Sequence, residues 1–125
     1  MKYDPIFQFH DRAGLRKLAA KADLYIHCAT VEVEGLSALE ALQQAVVPVI
    51  AEGELTATSQ FALDERSLFP TKDPKALAEC IDYWLDHPEE RHEMGWRYAE
   101  STEEYDIHKS IDALRAMFRA ATSEK

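Results

Sequence analysis

The sequence predicts an α/β fold: a parallel sheet of about three to four strands covered by helices, with further helices toward the C-terminal end. Three observations predict it. Short apolar runs of strand length alternate with amphipathic stretches between residues 6 and 70, and such alternation implies parallel pairing. The run Val46-Val47-Pro48-Val49-Ile50-Ala51 is β-branched and too apolar for a one-sided sheet, which marks a strand covered on both faces. From Asp73 onward the pattern is helical, with Pro74 and Pro88 where a first turn tolerates proline.

Taken in order, Ile6-Phe7-Gln8-Phe9 reads as a short strand. Asp11 then caps a helix running to about Ala22, with Leu15, Leu18 and Ala19 on one face. Leu24-Tyr25-Ile26-His27-Cys28-Ala29 is a second strand, and residues 34–44 a helix with Leu36, Leu39 and Leu42 inward. After the strand at 46–51 comes a polar loop, and Ser67-Leu68-Phe69-Pro70 is a short edge strand ending at proline. Asp73 is an N-cap for a helix carrying Leu77, Ile81 and Trp84 or Leu85 at helical spacing as far as His87. Pro88 opens another helix with Glu89 and Glu90 in its first turn, where the macrodipole favours them. A last helix, about 105–121, is expected to bury Ile107, Ile111, Leu114, Met117 and Phe118.

Composition narrows the function. The chain has 125 residues, 46% hydrophobic and 30% charged, and reads as one domain spanning 1–125 with a real core. A net charge of −9 repels phosphate backbones and anionic bilayers, so neither nucleic acid nor a membrane surface is the expected main partner. No apolar run approaches the roughly 18–20 residues of a bilayer span, and Met1-Lys2-Tyr3-Asp4-Pro5 is no signal peptide. Two cysteines, Cys28 and Cys80, are expected to be buried thiols in a reducing cytoplasm.

The chemistry concentrates in Val31-Glu32-Val33-Glu34-Gly35-Leu36-Ser37-Ala38-Leu39-Glu40-Ala41, where a strand hands over to a helix. In open parallel sheets ligands bind at the carboxyl ends of strands, against helix N-termini. Amides of Gly35, Leu36 and Ser37 would leave the first turn free to hold a phosphate, and Gly35 lets a ligand approach the backbone. Glu32 lies in the loop over the strand end, and Glu40 sits about a turn and a half into the helix, where its carboxylate is expected to reach back toward the same crevice. Carboxylates accept hydrogen bonds without donating them, which suits the vicinal hydroxyls of a ribose or a hexose.

Glu32, seven intervening residues and Glu40 resemble the E-x7-E motif of the group-1, GT-B-type retaining glycosyltransferases. Val47-Pro48-Val49-Ile50-Ala51 is similar to that family's "P-V-V-A" strand, and Asp73-Pro74-Lys75-Ala76-Leu77-Ala78 with Trp84-Leu85 to its next helix. Gln60-Phe61-Ala62-Leu63-Asp64-Glu65-Arg66-Ser67-Leu68-Phe69 resembles a bacterial subset linked to capsule or lipid glycosylation. The resemblance implies the donor-binding, C-terminal half of a GT-B architecture with a partial Rossmann-like sheet, bringing polysaccharide or lipid glycosylation into view. It implies that Glu40 binds the nucleotide ribose and Glu32 the donor sugar, with Gly35, Leu36 and Ser37 facing sugar or diphosphate. It places Thr56, Thr58 and Ser59 in a loop bordering the base. The substrate would be a UDP- or GDP-sugar, with no metal and no cofactor. Partners would be a second domain or chain completing the fold, in the cytoplasm or peripheral to the inner membrane face.

The chain departs from the family in three places. The family's domain opens with two further strand–helix units, carrying a glycine turn and the Arg and Lys that neutralise the donor diphosphate. Nothing before Ile6 supplies them, so the chain is expected to be truncated, to bind donor weakly and to transfer nothing alone. Ala45 stands where glycine usually stops the helix, and Gln8-Phe9-His10 replaces the "F-x-G-x" glycine. In the strand order 3-2-1-4-5-6, the runs at 6–9 and 24–28 would be strands 3 and 4. An edge left open there invites a homo-oligomer.

The competing readings are a non-catalytic remnant serving as an interaction or scaffold module, and an unrelated receiver-like α/β domain. The receiver reading lacks its acidic cluster at the first strand's end. His87 and His92, five apart across a proline, are expected to be solvated caps, and His27 and Cys28 strand residues. Asp64-Glu65-Arg66 reads as a local surface ion pair, and Trp84 and Met117 as core.

Overall fold

Three parallel strands carry the architecture of residues 3–123, which the computed structural model describes. Helix α1 (Arg12–Ala19) leads to β1 (Leu24–His27), then α2 (Leu36–Leu42) and β2 (Val47–Glu52). Two 3-10 turns, Thr58–Phe61 and Glu65–Ser67, precede β3 (Leu68–Pro70). Helices α3 (Pro74–Asp86), α4 (Pro88–Ser101) and α5 (Ile107–Ser123) follow, a 3-10 turn at Thr102–Tyr105 joining the last two. The sheet order is β1-β2-β3, with Leu24 opposite Val47 and Ile50 opposite Leu68. Strands consecutive in the chain are neighbours in this sheet.

The middle strand explains the core. Val47, Pro48, Val49, Ile50 and Ala51 are all buried, because helices cover both faces, as continuous β-branched composition requires. Ala38 and Leu42 of α2, Phe61, Phe69, Trp84, Met94 and Tyr98 join the same apolar cluster. Each fully buried large side chain contributes about 1.5–3 kcal/mol relative to exposure. Trp84 and Tyr98 also need polar partners inside. The Trp84 indole donates to the Arg66 carbonyl (3.1 Å), and Tyr98 Oη accepts from the Leu63 amide (3.0 Å).

The caps act where the sequence places them. Asp11 Oδ1 accepts from the Gly14 amide (2.7 Å), and Asp73 Oδ1 from Lys75 and Ala76. Ala45 adopts the left-handed conformation (φ 59°), the strained turn its non-glycine side chain makes costly by about 1–2 kcal/mol. Its carbonyl lies against Gly95 of α4, where a Cβ would meet the oxygen at 2.2 Å.

Several expectations are corrected. Residues 6–9 form no strand; Ile6, Phe7 and Phe9 are about nine-tenths exposed. A run of strand length needs a ladder partner, and no described strand pairs with the outer edge of β1. Leu36 is 61% exposed, the inward positions of α2 being Ala38, Ala41 and Leu42 with Leu39 half-buried. Helix α1 ends at Ala19 rather than Ala22, with Leu15 and Leu18 about half exposed. Helix α5 buries none of Ile107, Ile111, Leu114, Met117 and Phe118. Met117 is therefore not core, because amphipathic spacing defines an apolar face without supplying what covers it. Cys28 is exposed rather than buried, and Cys80 is half-buried, its thiol on the Leu68 carbonyl. His92 is not a cap: it lies within α4, its Nε2 accepting from the Trp96 indole.

Candidate functional site

The carboxyl end of β1 is where polar side chains converge. Glu32 is tied to the loop after β2 by backbone bonds: its amide donates to the Leu55 carbonyl (2.9 Å), and its carbonyl accepts from Ala57 (3.0 Å). These bonds make an isolated parallel bridge between Glu32 and Thr56, extending the β1–β2 pairing past the strands. The side chain is thereby anchored above the sheet. Glu32 Oε1 accepts from the Val33 amide (3.1 Å), and Oε2 lies 3.5 Å from His27 Nε2.

A line of polar contacts runs from Glu32 back to α2, hydrogen-bonded from His27 onward. His27 is 9% exposed. Its Nε2 lies 3.2 Å from Thr58 Oγ1, and its Nδ1 lies 3.2 Å from Tyr25 Oη. Tyr25 Oη is in turn 3.1 Å from Ser37 Oγ in the first turn of α2. Burial first, then the charge of Glu32, push the Tyr25 phenol above its ordinary range, against the opposing Ser37 hydrogen bond. Tyr25 therefore keeps its proton throughout the neutral range.

Glu40, one turn beyond Ser37 on α2, faces α1 instead. Arg12 Nε (2.8 Å) and Nη2 (2.7 Å) both reach its Oε1. Ser37, Glu40, Tyr25, Leu15 and Leu18 border a groove of about 260 Å³ between α1, α2 and the open side of β1. Glu32 is not among the groove's residues. The two glutamates therefore do not converge on one crevice as expected: Glu32 stands beside His27, and Glu40 turns to Arg12.

The remaining expected site residues are placed as follows. Gly35 caps α2 in the left-handed conformation (φ 69°), and a Cβ there would meet Thr58 Oγ1 at 2.4 Å. The space its missing side chain leaves is filled by Thr58. Leu36 and Ser37 are exposed in the first turn. Thr58 is fully buried with its hydroxyl on His27. Thr56 Oγ1 donates to the Gly53 carbonyl and accepts from its amide, both at 2.9 Å, and Ser59 Oγ donates to the Thr56 carbonyl (3.2 Å). Thr58 ties the loop to β1 through His27, whereas the Thr56 and Ser59 side chains brace the loop internally. The roles of Tyr25 and His27 are the part that strand patterning hid: alternate residues of one strand, both polar, turned toward one helix start.

A second cluster lies on the far side of the sheet. Arg66 pairs with Asp64 Oδ2 (2.5 Å) and Glu90 Oε1 (2.6 Å), touches Tyr83 Oη, and stacks over Tyr83 and Trp84. The expected local ion pair is thus larger, tying the turn before β3 to α3 and α4. Hydrogen bonding to Arg66 holds the Asp64 carboxyl below its usual range. The Tyr83 hydroxyl, then Arg66, does the same for Glu90. Among the described residues no helix is long and apolar enough to cross a membrane.

A family model described as Glycosyl transferases group 1 matches residues 6–101. No curated protein matches the chain. Among solved structures, the catalytic domain of cholesterol-alpha-glucosyltransferase from Helicobacter pylori matches with a TM-score of 0.75 and 44% sequence identity. The match covers 78% of this chain and 62% of that one, so the chain spans less than two thirds of its neighbour's length.

Proposed function

This chain belongs to the group 1 glycosyl transferases, and from that premise we propose that it binds the nucleotide-diphosphate sugar donor of a glycosyl transfer. The observation carrying the reading is the cluster at the end of β1. Glu32 stands beside His27 above the strand end, the line His27–Tyr25–Ser37 runs to the first turn of α2, and Glu40 lies one turn further along that helix, paired with Arg12. Acceptor-only groups at a strand-to-helix junction complement the hydroxyls of a ribose and a hexose. In this reading Glu32, Leu36 and Ser37 meet the sugar, buried Gly35 sets the turn that presents them, and Glu40 exchanges Arg12 for the ribose. Thr56, Thr58 and Ser59 support the loop that borders the base.

The acceptor is held by a further domain or chain that completes the GT-B fold. Similarity to a cholesterol glucosyltransferase supports a glucosyl donor and a lipid hydroxyl as acceptor. Retaining transfer then depends on positioning and on stabilising the diphosphate leaving group.

Titration with a panel of UDP- and GDP-sugars, read by thermal shift and calorimetry, tests the reading. Binding that is lost in Glu40→Ala supports it. Absence of binding to every member of the panel leaves the interaction-module reading in its place.

A further inference from the structure

The charge on Glu32 dictates the direction of every hydrogen bond behind it. His27 Nε2 faces Glu32 Oε2 (3.5 Å) and Thr58 Oγ1 (3.2 Å); Nδ1 faces Tyr25 Oη (3.2 Å). An ionised carboxylate only accepts, whereas a neutral imidazole carries its proton on one nitrogen and a lone pair on the other. A lone pair on Nε2 would point at negative charge, so the proton belongs there, with Thr58 Oγ1 as a second acceptor. Nδ1 must then accept, and Tyr25 Oη is the donor beside it. Tyr25 retains that proton because burial raises its pKa. Its oxygen is left to accept from the Ser37 hydroxyl at 3.1 Å.

We infer that His27 is a positioning residue: it holds Glu32 at the strand end and sets the hydrogen-bond polarity of Ser37. With its proton committed inward, Ser37 turns lone pairs toward the groove it shares with Glu40. The Ser37 hydroxyl is thereby matched to a sugar hydroxyl, which donates, and mismatched to a phosphate oxygen, which cannot. What fills the groove rests on the proposed function; the protonation of His27 does not.

Two measurements separate these layers. Imidazole nitrogen-15 spectra of the labelled chain, with the His27 signal assigned by its loss in His27→Gln, should show a protonated Nε2 and a bare Nδ1. A ring protonated on Nδ1 overturns the inference whether or not any donor binds. In the titration, His27→Gln keeps an N–H near the place of Nε2 and should stay within a few-fold of the parent. His27→Leu should lose about ten-fold, together with a lower unfolding midpoint because the buried Thr58 hydroxyl loses its His27 partner. Should His27→Leu fail to fold, Tyr25→Phe breaks the same line and should also weaken sugar binding. Parent-like binding by His27→Leu, or by Tyr25→Phe in that case, overturns the positioning role. A parent that binds no sugar while showing the Nε2–H ring removes the donor reading and leaves the His27 assignment standing.

Discussion

Arg12 holds Glu40 by a fork onto a single oxygen, with Nε at 2.8 Å and Nη2 at 2.7 Å from Oε1. The pair joins the first turn of α1 to the middle of α2, and Arg12 remains largely exposed. An exposed ion pair is worth about 0.2–1 kcal/mol, so a ribose diol must displace a competitor of that size. Arg12→Ala should tighten nucleotide-sugar binding by up to about five-fold. Calorimetric titration beside the parent checks this, and weaker binding in the variant would mean that Arg12 helps to hold the ligand.

Gly95 and Ala45 make a tight helix-to-turn contact with no slack. A Cβ on residue 95 would sit 2.2 Å from the Ala45 carbonyl oxygen, and backbone cannot step aside as a flexible side chain can. Gly95→Ala should cost about 1–3 kcal/mol, read as a lower urea midpoint at constant slope. Ala45→Gly removes left-handed strain at φ 59° but adds freedom to the unfolded chain. It should gain at most about 1 kcal/mol.

Acid should loosen the far side of the sheet as Asp64 and Glu90 lose their charge. Asp64 and Glu90 both titrate below their ordinary range in the folded state, through hydrogen bonds that include Arg66 to each and Tyr83 to Glu90. For carboxyls depressed on folding, the stabilisation is present above the unfolded pKa of about 4. It is lost as pH falls through the lower folded values. Arg66→Gln should therefore flatten the loss of stability below about pH 5 relative to the parent. Urea unfolding at a series of pH values measures it; parallel curves would contradict the assignment.

The outer edge of β1 has no strand partner among the described residues, and Ile6, Phe7 and Phe9 stand exposed ahead of α1. Unpaired edges and bare apolar side chains favour association. Light scattering at high micromolar concentration should give a mass above that of one chain. A monomer there, unchanged by Phe7→Ser with Phe9→Ser, would show that neither feature drives contact.

How much of this was legible in the residues varies by element. The doubly covered strand at Val47–Glu52, the proline-started helices and the caps at Asp11 and Asp73 were readable, because each rests on local sterics or an adjacent side chain. The position of Glu32 and Glu40 on either side of a strand-to-helix junction was readable from spacing, but not that Glu40 turns to Arg12 of α1, which depends on how the two helices pack. The line through His27 was not, since periodicity marks a buried strand histidine without saying what its nitrogens meet.

By itself the sequence determined which segments become helix or strand wherever propensity, capping and apolar period agree, and it determined the family. Only the tertiary structure decided which apolar faces are covered. Ile6, Phe9, Ile111 and Phe118 carry the right pattern and remain exposed, whereas Ala38 and Thr58 are wholly buried. The reason is that burial belongs to a pair of surfaces. A chain specifies its own face, but a ladder partner or a packing body must come from residues brought near by the fold.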